Sequence, residues 1–340
     1  MPTVVALLPV LLFLTALLAL DRFRLVQLSA VLLALGAGAA AAGVSQAMQT
    51  TLLLWPTSAS PGVFTLYIGP VTEEAAKALY VLYLVRSGRA GFLVDAAIQG
   101  FAVGAGFGVV ENVVYLRSMA DAPLLLWLVR GLGTAVLHGA TTTLFALISK
   151  TLSDRSPDHL VRPFLPGLLF AVVVHAAFNH LPLSPVAMTG LLLVVMPLLV
   201  LYVFERSERA TREWVGAGLD LDVEVLSLVQ SEAFSFTRFG TYLRELAVRF
   251  PGPVVADMFC LLQLELELSV QAKARLLARE AGIDLPVDDD LRASLDEIAS
   301  LNRSIGPTGR LALKPLHVTT HRDKWHRHLL RQSSRPRVRA

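Results

Sequence analysis

The chain has 340 residues, of which 54% are hydrophobic and 17% are charged, and its formal net charge is +3. This composition excludes an intrinsically disordered protein and is too apolar for an ordinary soluble enzyme. Most of the charged residues follow residue 204, which predicts a membrane domain over residues 1–204 and a soluble domain after it. The single cysteine, Cys260, excludes an internal disulfide, and its position on an apolar helix face predicts a buried structural thiol.

Seven stretches have the roughly 20 mostly apolar residues that a membrane-spanning helix needs. They are residues 3–20, 25–44, 63–85, 92–115, 123–149, 163–181 and 185–204. The predicted fold class is therefore all-α, a polytopic membrane helix bundle of about seven spans with a small helical cytoplasmic C-terminal domain. The first stretch follows no basic segment and is longer than a signal-peptide core, so we expect it to be retained as a span.

Lys and Arg residues alternate between the loops that connect these spans. They occur in the first, third and fifth loops and after the last span, whereas the second and sixth loops have none and the fourth has only Arg117. By the positive-inside rule, this pattern predicts that the N-terminus is outside and that the C-terminal domain is in the cytoplasm.

The third span has an ambiguous start. Gly69-Pro70-Val71-Thr72 resembles a helix N-terminus with Thr72 as the cap. A helix from Thr72 to Val85 has about 14 residues and a length of about 21 Å, which is too short for a hydrocarbon core about 30 Å thick. Either the helix begins near Val63 and kinks at Pro70, or residues 63–69 enter the membrane as a non-helical segment.

Polar and charged residues interrupt four of the predicted spans. They are Glu73, Glu74 and Lys77 in the third, Glu111 and Asn112 in the fourth, Arg130 and His138 in the fifth, and His175 and Asn179 in the sixth. A charged side chain at the bilayer centre costs roughly 2.5–3.5 kcal/mol, so we expect these residues to pair around a shared, partly wet cavity. The carboxylates and imidazoles fall in one layer between the midplane and the outer surface, which indicates a site for hydrolysis.

The fourth span also carries a stripe of small residues. Gly100, Gly104 and Gly108 form a GxxxGxxxG pattern, which predicts the close approach of another helix beside Glu111. Asp95, near the cytoplasmic end of the same span, is expected to be a helix-end partner. On the fifth span, two roles are open for Arg130: it is a counter-ion for a glutamate, or it snorkels outward.

Two other functions are compatible with polar groups in membrane helices. Carboxylates and histidines also build proton-coupled transporters, although no repeat between two halves of the chain is visible. In a non-catalytic membrane scaffold, the same cluster would only hold helices together. HExxH and GxSxG motifs are absent, so a protease would have to use Glu and His on water.

Four motifs carry a resemblance to a known family. They are EExxK at Glu73–Lys77, FxxxEN at Phe107–Asn112, His138, and HxxxN at His175–Asn179. In this order, each on its own span, they resemble the PrsW family of intramembrane proteases, within the superfamily of the CAAX prenyl endopeptidases. The CAAX enzymes usually have EExxxR and FxxxH, so Lys77 and Glu111 favour the PrsW branch. The resemblance covers about residues 60–204.

The resemblance implies an intramembrane endopeptidase of a bacterial inner membrane that cleaves a membrane-anchored protein, such as an anti-sigma factor or another regulator. It implies catalytic residues Glu73, Glu74, Glu111, His138, His175 and Asn179, supported by Lys77, Phe107, Asn112 and Arg130. Glu74 or Glu73 would be the general base, both histidines would stabilise the oxyanion or protonate the leaving amine, and Glu111 and Asn179 would orient them.

The metal content stays open between no cofactor and Zn²⁺. Glu111, His138 and His175 could form a three-ligand zinc site with one open position. Because no close pair of histidines organises a metal, the sequence slightly favours chemistry without one.

The predicted cytoplasmic domain covers residues 205–320. A long helix is expected from Val254 to about Ala281, ended by Gly282 and Pro286, and another over residues 289–305. The tail 321–340 has seven Lys and Arg residues and one Asp, so anionic lipid is a candidate partner, a solvated tail is the alternative, and no nucleic acid is expected. The domain could dock regulators or only stabilise the membrane part.

Overall fold

The computed structural model describes residues 2–21, 23, 25–54, 61–119, 121–156, 159–180, 183–283, 285, 289–316 and 329–330. These residues contain helices and no strand, which confirms the predicted all-α class. They divide into two compact units, Met1–Glu208 and Arg209–Ala340. Apart from Leu329 and Leu330, the predicted lipid-binding tail lies outside the described residues.

The first unit is the membrane unit. Its helices are α1 (Pro2–Leu20), α2 (Leu28–Leu54), α3 (Pro61–Val63), α4 (Gly69–Arg86), α5 (Leu93–Ser118), α6 (Leu124–Leu128), α7 (Ala135–Arg155), α8 (Leu165–Asn179) and the first part of α9 (Pro185–Val229). Six helical segments among the described residues are long and apolar enough to cross a membrane. Those containing α5 and α7 are 83% and 78% buried, against 22% for α1 and for α9. α5 and α7 therefore form the centre of the bundle, and the apolar outer faces of the other helices suit lipid.

The third predicted span differs from these six because α4 carries Glu73, Glu74 and Lys77. The chain is helical from Pro61 onward and passes through a π-helical segment, Phe64–Ile68, directly into α4, so the non-helical alternative is wrong. We call Phe64–Ile68 the first wide turn. Thr72 is not the N-cap, since its hydroxyl donates to the carbonyls of Ile68 (3.1 Å) and Gly69 (2.9 Å) inside the helix.

Two helices extend further than predicted. α2 continues to Leu54 instead of ending at residue 44, because no glycine or proline interrupts that stretch after Gly43 and its polar side chains find partners on α4. α9 continues to Val229 instead of ending at residue 204. The charged residues after residue 204 are good helix formers, so a change of polarity alone does not end a helix.

The predicted close approach along the glycine stripe is confirmed. A Cβ atom at Gly104 would lie 2.0 Å from the carbonyl oxygen of His138, and one at Gly108 would lie 3.0 Å from the Cα atom of Ala135. The backbones of α5 and α7 therefore touch at the depth of the polar residues. Asp95 accepts bonds from the amides of Gly91 (2.8 Å) and Phe92 (3.2 Å), which confirms its place as a helix-end partner.

Among the residues that the structure describes, the second unit contains the later part of α9 and the helices α10 (Arg238–Leu246), α11 (Gly252–Glu280), α12 (Asp289–Ser304) and α13 (Gly306–Leu313). α11 and α12 agree with the two predicted helices, and Gly282 follows α11 with φ of 76°, as a glycine C-cap requires. Cys260 is exposed, so the prediction of a buried thiol is wrong. The buried face of α11 follows Met258, Leu261 and Leu262, and Cys260 lies off that stripe.

Candidate active site

The polar residues predicted from four spans converge on one cavity of about 880 Å³ in the membrane unit. Its wall includes Glu73, Glu111, Arg130, His138, His175 and Asn179. Apolar side chains such as Phe107 and Phe178 complete the lining. The expected shared cavity is therefore present, and it is bordered by α2, α4, α5, α7, α8 and the start of α9.

Glu74 lies behind the cavity wall, and one of its carboxylate oxygens has three polar partners. Its Oε1 atom accepts bonds from Lys77 Nζ (2.7 Å) and Thr141 Oγ1 (3.1 Å), and lies 2.8 Å from Nδ1 of His175. Glu74 is 2% exposed and Lys77 is fully buried. Burial of this ion pair is tolerable because the carboxylate is also hydrogen-bonded by other groups.

His175 has one nitrogen fixed and the other available. A carboxylate accepts, so Nδ1 of His175 carries the proton that it donates to Glu74, and in the neutral imidazole Nε2 is then an acceptor. Nε2 lies 3.8 Å from Oε2 of Glu73, which is too long for a hydrogen bond. A separation of this size between two polar atoms suits a bridging water.

His138 has both nitrogens engaged. Its Nδ1 lies 3.1 Å from Nζ of Lys77, and an ammonium group only donates, so Nδ1 is the acceptor. The ring proton is then on Nε2, which donates to Oε2 of Glu111 at 2.7 Å. Phe107 packs beside His138, with ring centroids 4.8 Å apart, and also under the Lys77 ammonium.

Arg130 is the counter-ion of Glu111, which settles the choice between pairing and snorkelling. Its guanidinium lies 3.2 Å from Oε1 of Glu111, and its Nε atom donates to Oδ1 of Asn112 at 3.0 Å. The π-helical segment Val129–Thr134, which we call the second wide turn, presents Arg130 toward α5. Glu111 is therefore held between His138 and Arg130.

Glu73 is the carboxylate with access to the cavity. Its side chain is 18% exposed, against 2% for Glu74, and Oε1 accepts a bond from the amide of Gln49 at 3.2 Å. The same amide nitrogen contacts Thr72 (3.1 Å) and Ser45 (3.1 Å). The sequence did not identify Gln49, Ser45 and Thr141 as site residues. The signal was present, because Ser45 and Gln49 are four residues apart on an apolar helix, but the predicted span ended before them.

Asn179 lies on the cavity at the end of α8. Its amide donates to the carbonyl of Thr65 in the first wide turn (3.3 Å). Its contact is therefore not with the histidines: Glu74 holds His175, and Lys77 and Glu111 hold His138. Asn179 therefore ties α8 to the start of the α4 segment.

A possible metal-binding group contains Glu73, His138 and His175, whose ligand atoms lie within 4.8 Å of one another. Glu73 takes the place that the sequence gave to Glu111. Two imidazoles and one carboxylate beside a cavity form a typical donor set for catalytic zinc, and the carboxylate of Glu74 behind His175 is the usual second partner of a metal-bound histidine. The residues fit zinc, provided that His138 exchanges one of its present bonds.

A known protein family matches most of the membrane unit. The model of a family described as "PrsW family intramembrane metalloprotease" matches residues 23–204. This range contains all of the cavity residues described above and leaves out α1. No curated protein and no solved structure matches the chain.

Proposed function

Because this chain belongs to the PrsW family of intramembrane proteases, we propose that it hydrolyses a peptide bond of a membrane-anchored protein with water activated by Glu73. It is a multi-pass membrane protein, so substrate and site meet in the bilayer. One observation carries the mechanism: Oε2 of Glu73 and Nε2 of His175 face each other at 3.8 Å on the cavity. Two acceptors at this distance can hold one water by its two hydrogens.

Access favours Glu73 over Glu74 as the general base. Three donors surround Oε1 of Glu74, and the residue is buried behind the cavity lining, so water in the cavity reaches it less readily than it reaches Glu73. Glu73 receives a bond on Oε1 only from Gln49, so Oε2 is open to water. We assign Glu74 the role of orienting His175, as the buried carboxylate does in catalytic triads.

His138 and Arg130, which also line the cavity, would stabilise the developing oxyanion. His138 is a neutral donor through Nε2, and the Arg130 guanidinium lies next to it on Glu111. As the substrate carbonyl becomes negative, a donor that moves from Glu111 to the oxyanion lowers the barrier. Glu111 then keeps His138 and Arg130 in place between turnovers.

The proton and bond changes balance with these groups. Glu73 takes one proton from water as the water oxygen bonds to the peptide carbon. The C–N bond then breaks, and Glu73 returns the proton to the leaving amine. The products are a carboxylic acid and an amine; the proton of the acid then passes to the amine, which gives a carboxylate and an ammonium group, and Glu73 is again ionised.

Zinc is the alternative to Glu73 as general base, because a carboxylate that ligates the metal is not free to take a proton from water. Glu73, His138 and His175 would hold it, and a bound zinc supplies Lewis-acid polarisation of the carbonyl and of the water. With the metal present, Glu74 would still orient His175.

The substrate, orientation and domain roles are further parts of the proposal. The apolar lining, with Phe64, Val110 and Phe178, suits a membrane-spanning segment of a regulator such as an anti-sigma factor. The alternating Lys and Arg pattern supports a cytoplasmic C-terminal domain over residues 205–320, and the basic tail 321–340 supports contact with anionic lipid of a bacterial inner membrane.

The test uses the full chain in detergent with a panel of single-span membrane proteins. Glu73→Gln should lose cleavage by about 10²–10⁴-fold, the usual contribution of general acid–base catalysis. Glu213→Gln, an exposed glutamate of α9, is the matched control and should cleave like the wild type. Equal cleavage by Glu73→Gln and the control would reject the role of Glu73. Ion-dependent transport without cleavage would reject the assigned proteolysis.

A further inference from the structure

α1 carries a proline in its interior, at the point where it meets the cavity residues. Pro9 has no N–H, so the carbonyl of Val5 receives no helical hydrogen bond from it, and the proline ring pushes that carbonyl aside. The next carbonyl, that of Ala6, accepts a bond from Nδ2 of Asn112 at 2.8 Å. The proline therefore leaves the Val5 carbonyl without its helical partner, in the turn of α1 whose next carbonyl accepts the bond from Asn112.

The same turn of α1 touches the second wide turn. A Cβ atom at Gly131 would lie 2.0 Å from the carbonyl oxygen of Val5 and 3.1 Å from the Cα atom of Ala6. Only glycine permits this approach. Ala6 and Val10 are completely buried, so this part of α1 is packed against protein.

The orientation of the Asn112 side-chain amide is fixed by its hydrogen bond to the Ala6 carbonyl. Its amide nitrogen is used by the Ala6 carbonyl, so its oxygen must point to Arg130, whose Nε donates to it at 3.0 Å. Arg130 in turn pairs with Glu111, and Glu111 with Nε2 of His138. Hydrogen bonds and the Arg130–Glu111 ion pair thus connect the α1 backbone without a gap to a cavity histidine.

We propose that α1 is a positioning element of the active site, which acts through the Ala6 carbonyl and Asn112 to hold Arg130 against Glu111. α1 lies outside the residues that match the family, so nothing in that match predicts this role. The proposal rests on the proteolytic function proposed above for its kinetic consequence, but the position of Arg130 can be measured without any substrate.

Pro9→Ala is the first variant, because alanine favours the helix and restores the amide that Val5 can use. Asn112→Leu removes all three side-chain hydrogen bonds at similar size: those to the carbonyls of Ala6 and Arg130 and that from Nε of Arg130. Asn112→Asp keeps the acceptor for Arg130 but loses the donor to Ala6. Pro197→Ala, the same change inside α9, and Leu12→Ala, on the exposed face of α1, are the controls.

The first measurement is the rate at which phenylglyoxal modifies Arg130 in the full chain, followed by mass spectrometry. Arg130 is 9% exposed and borders the cavity, so its ion pair and hydrogen bond protect it. Pro9→Ala and Asn112→Leu should raise the rate about tenfold, the size of a lost hydrogen bond to a charged group, and Asn112→Asp should fall between them and the wild type. The two controls should react at the wild-type rate.

The second measurement separates positioning from stability. With unchanged thermal unfolding, Pro9→Ala and Asn112→Leu should lower kcat about tenfold and leave KM within a factor of about two, because neither residue binds the peptide. Wild-type rates of Arg130 modification in both variants would overturn the proposal. If the wild type cleaves no substrate, the proteolytic function fails, and the modification rates still decide whether α1 positions Arg130.

Discussion

Lys77 in the membrane unit and Lys273 in the second unit are buried in similar surroundings, and of these two only Lys77 lies at the candidate active site. Lys77 in the membrane unit is 2.7 Å from a carboxylate and 4.8 Å from the ring of Phe107. Lys273 in the second unit is 2.6 Å from a carboxylate and 5.0 Å from the ring of Trp214. Their exposures are 0% and 3%.

The difference lies in the third partner. Lys77 donates to Nδ1 of His138, whose other nitrogen reaches a cavity glutamate. Lys273 donates to the backbone carbonyl of Gly218 at 2.7 Å, and its carboxylate partner Asp222 also accepts from Ser269. A backbone carbonyl cannot change its protonation or its orientation, so Lys273 joins two helices, whereas Lys77 fixes the tautomer of a histidine. A buried ion pair by itself therefore indicates neither function nor its absence.

The largest effect is expected when each ion pair is replaced by apolar residues. Lys77→Met with Glu74→Leu leaves no unpaired charge, but His175 and His138 lose their orienting partners, so cleavage should fall about 10²–10⁴-fold. Lys273→Met with Asp222→Leu should cleave within about twofold of the wild type and unfold at a similar or higher temperature, since such replacements are often neutral or stabilising. Cleavage assays and thermal unfolding of both double variants test this. Equal losses of activity would remove the distinction between the two lysines.

A single substitution at Lys273 tests the comparison of the two lysines further, because it leaves its partner carboxylate without a counter-ion. Lys273→Met leaves Asp222 partly buried and should lower the free energy of unfolding by about 1–3 kcal/mol, with cleavage unchanged. Urea unfolding followed by the fluorescence of Trp214 would measure it, with Arg275→Met on the same helix as a control. No change in stability would mean that water already satisfies Asp222.

Zinc binding distinguishes the two possible carboxylate ligands. In protein first treated with a chelator, Glu73→Gln should weaken zinc binding by at least about tenfold, whereas Glu111→Gln should have the smaller effect of a residue outside the ligand set. Isothermal titration of zinc into each variant gives the affinities. A stronger effect of Glu111→Gln would restore the trio of Glu111, His138 and His175.

The smallest effect is expected at the neutral neighbours of the carboxylates. Gln49→Leu removes the hydrogen bond to Glu73 together with those to Ser45 and Thr72. Thr141→Val removes the hydrogen bond to Glu74 together with that to the His138 carbonyl. Each variant should lower kcat/KM about three- to tenfold. Thr50→Val, an exposed threonine of α2, is the control. If Gln49→Leu matched the control in steady-state kinetics, its contact with Glu73 would have no catalytic role.

Much of the architecture follows from the sequence, because long apolar segments in lipid can adopt few structures that satisfy their backbone hydrogen bonds. Backbone groups must bond within each span, which predicts the helices. The GxxxGxxxG stripe predicts the close contact of α5 with its neighbour, which is α7. Helix ends were harder to predict. α2 and α9 continue beyond the apolar stretch, because polarity changes the surroundings of a helix without ending it.

The family match and the motifs agree on the class of protein, because the matched residues 23–204 contain all four motifs. The individual roles of neighbouring residues were less accessible. Glu73 and Glu74 are adjacent in sequence and about 100° apart around the helix, so one faces the cavity and the other faces Lys77, Thr141 and His175. Spacing within one helix could not distinguish them, because the partners come from α2, α7 and α8.

The sequence by itself determined that the polar side chains in the apolar spans had to pair with one another, because an unpaired charge in lipid is strongly unfavourable. Only the tertiary structure decided which pairs form. The distances from Glu73 to His175, from Lys77 to His138 and from Asn112 to the backbone of α1 depend on how the helices are rotated and how closely they pack. That rotation is fixed by many small contacts across the bundle, such as Gly104 against His138 and Gly131 against Val5, and no single segment of sequence contains both sides of such a contact.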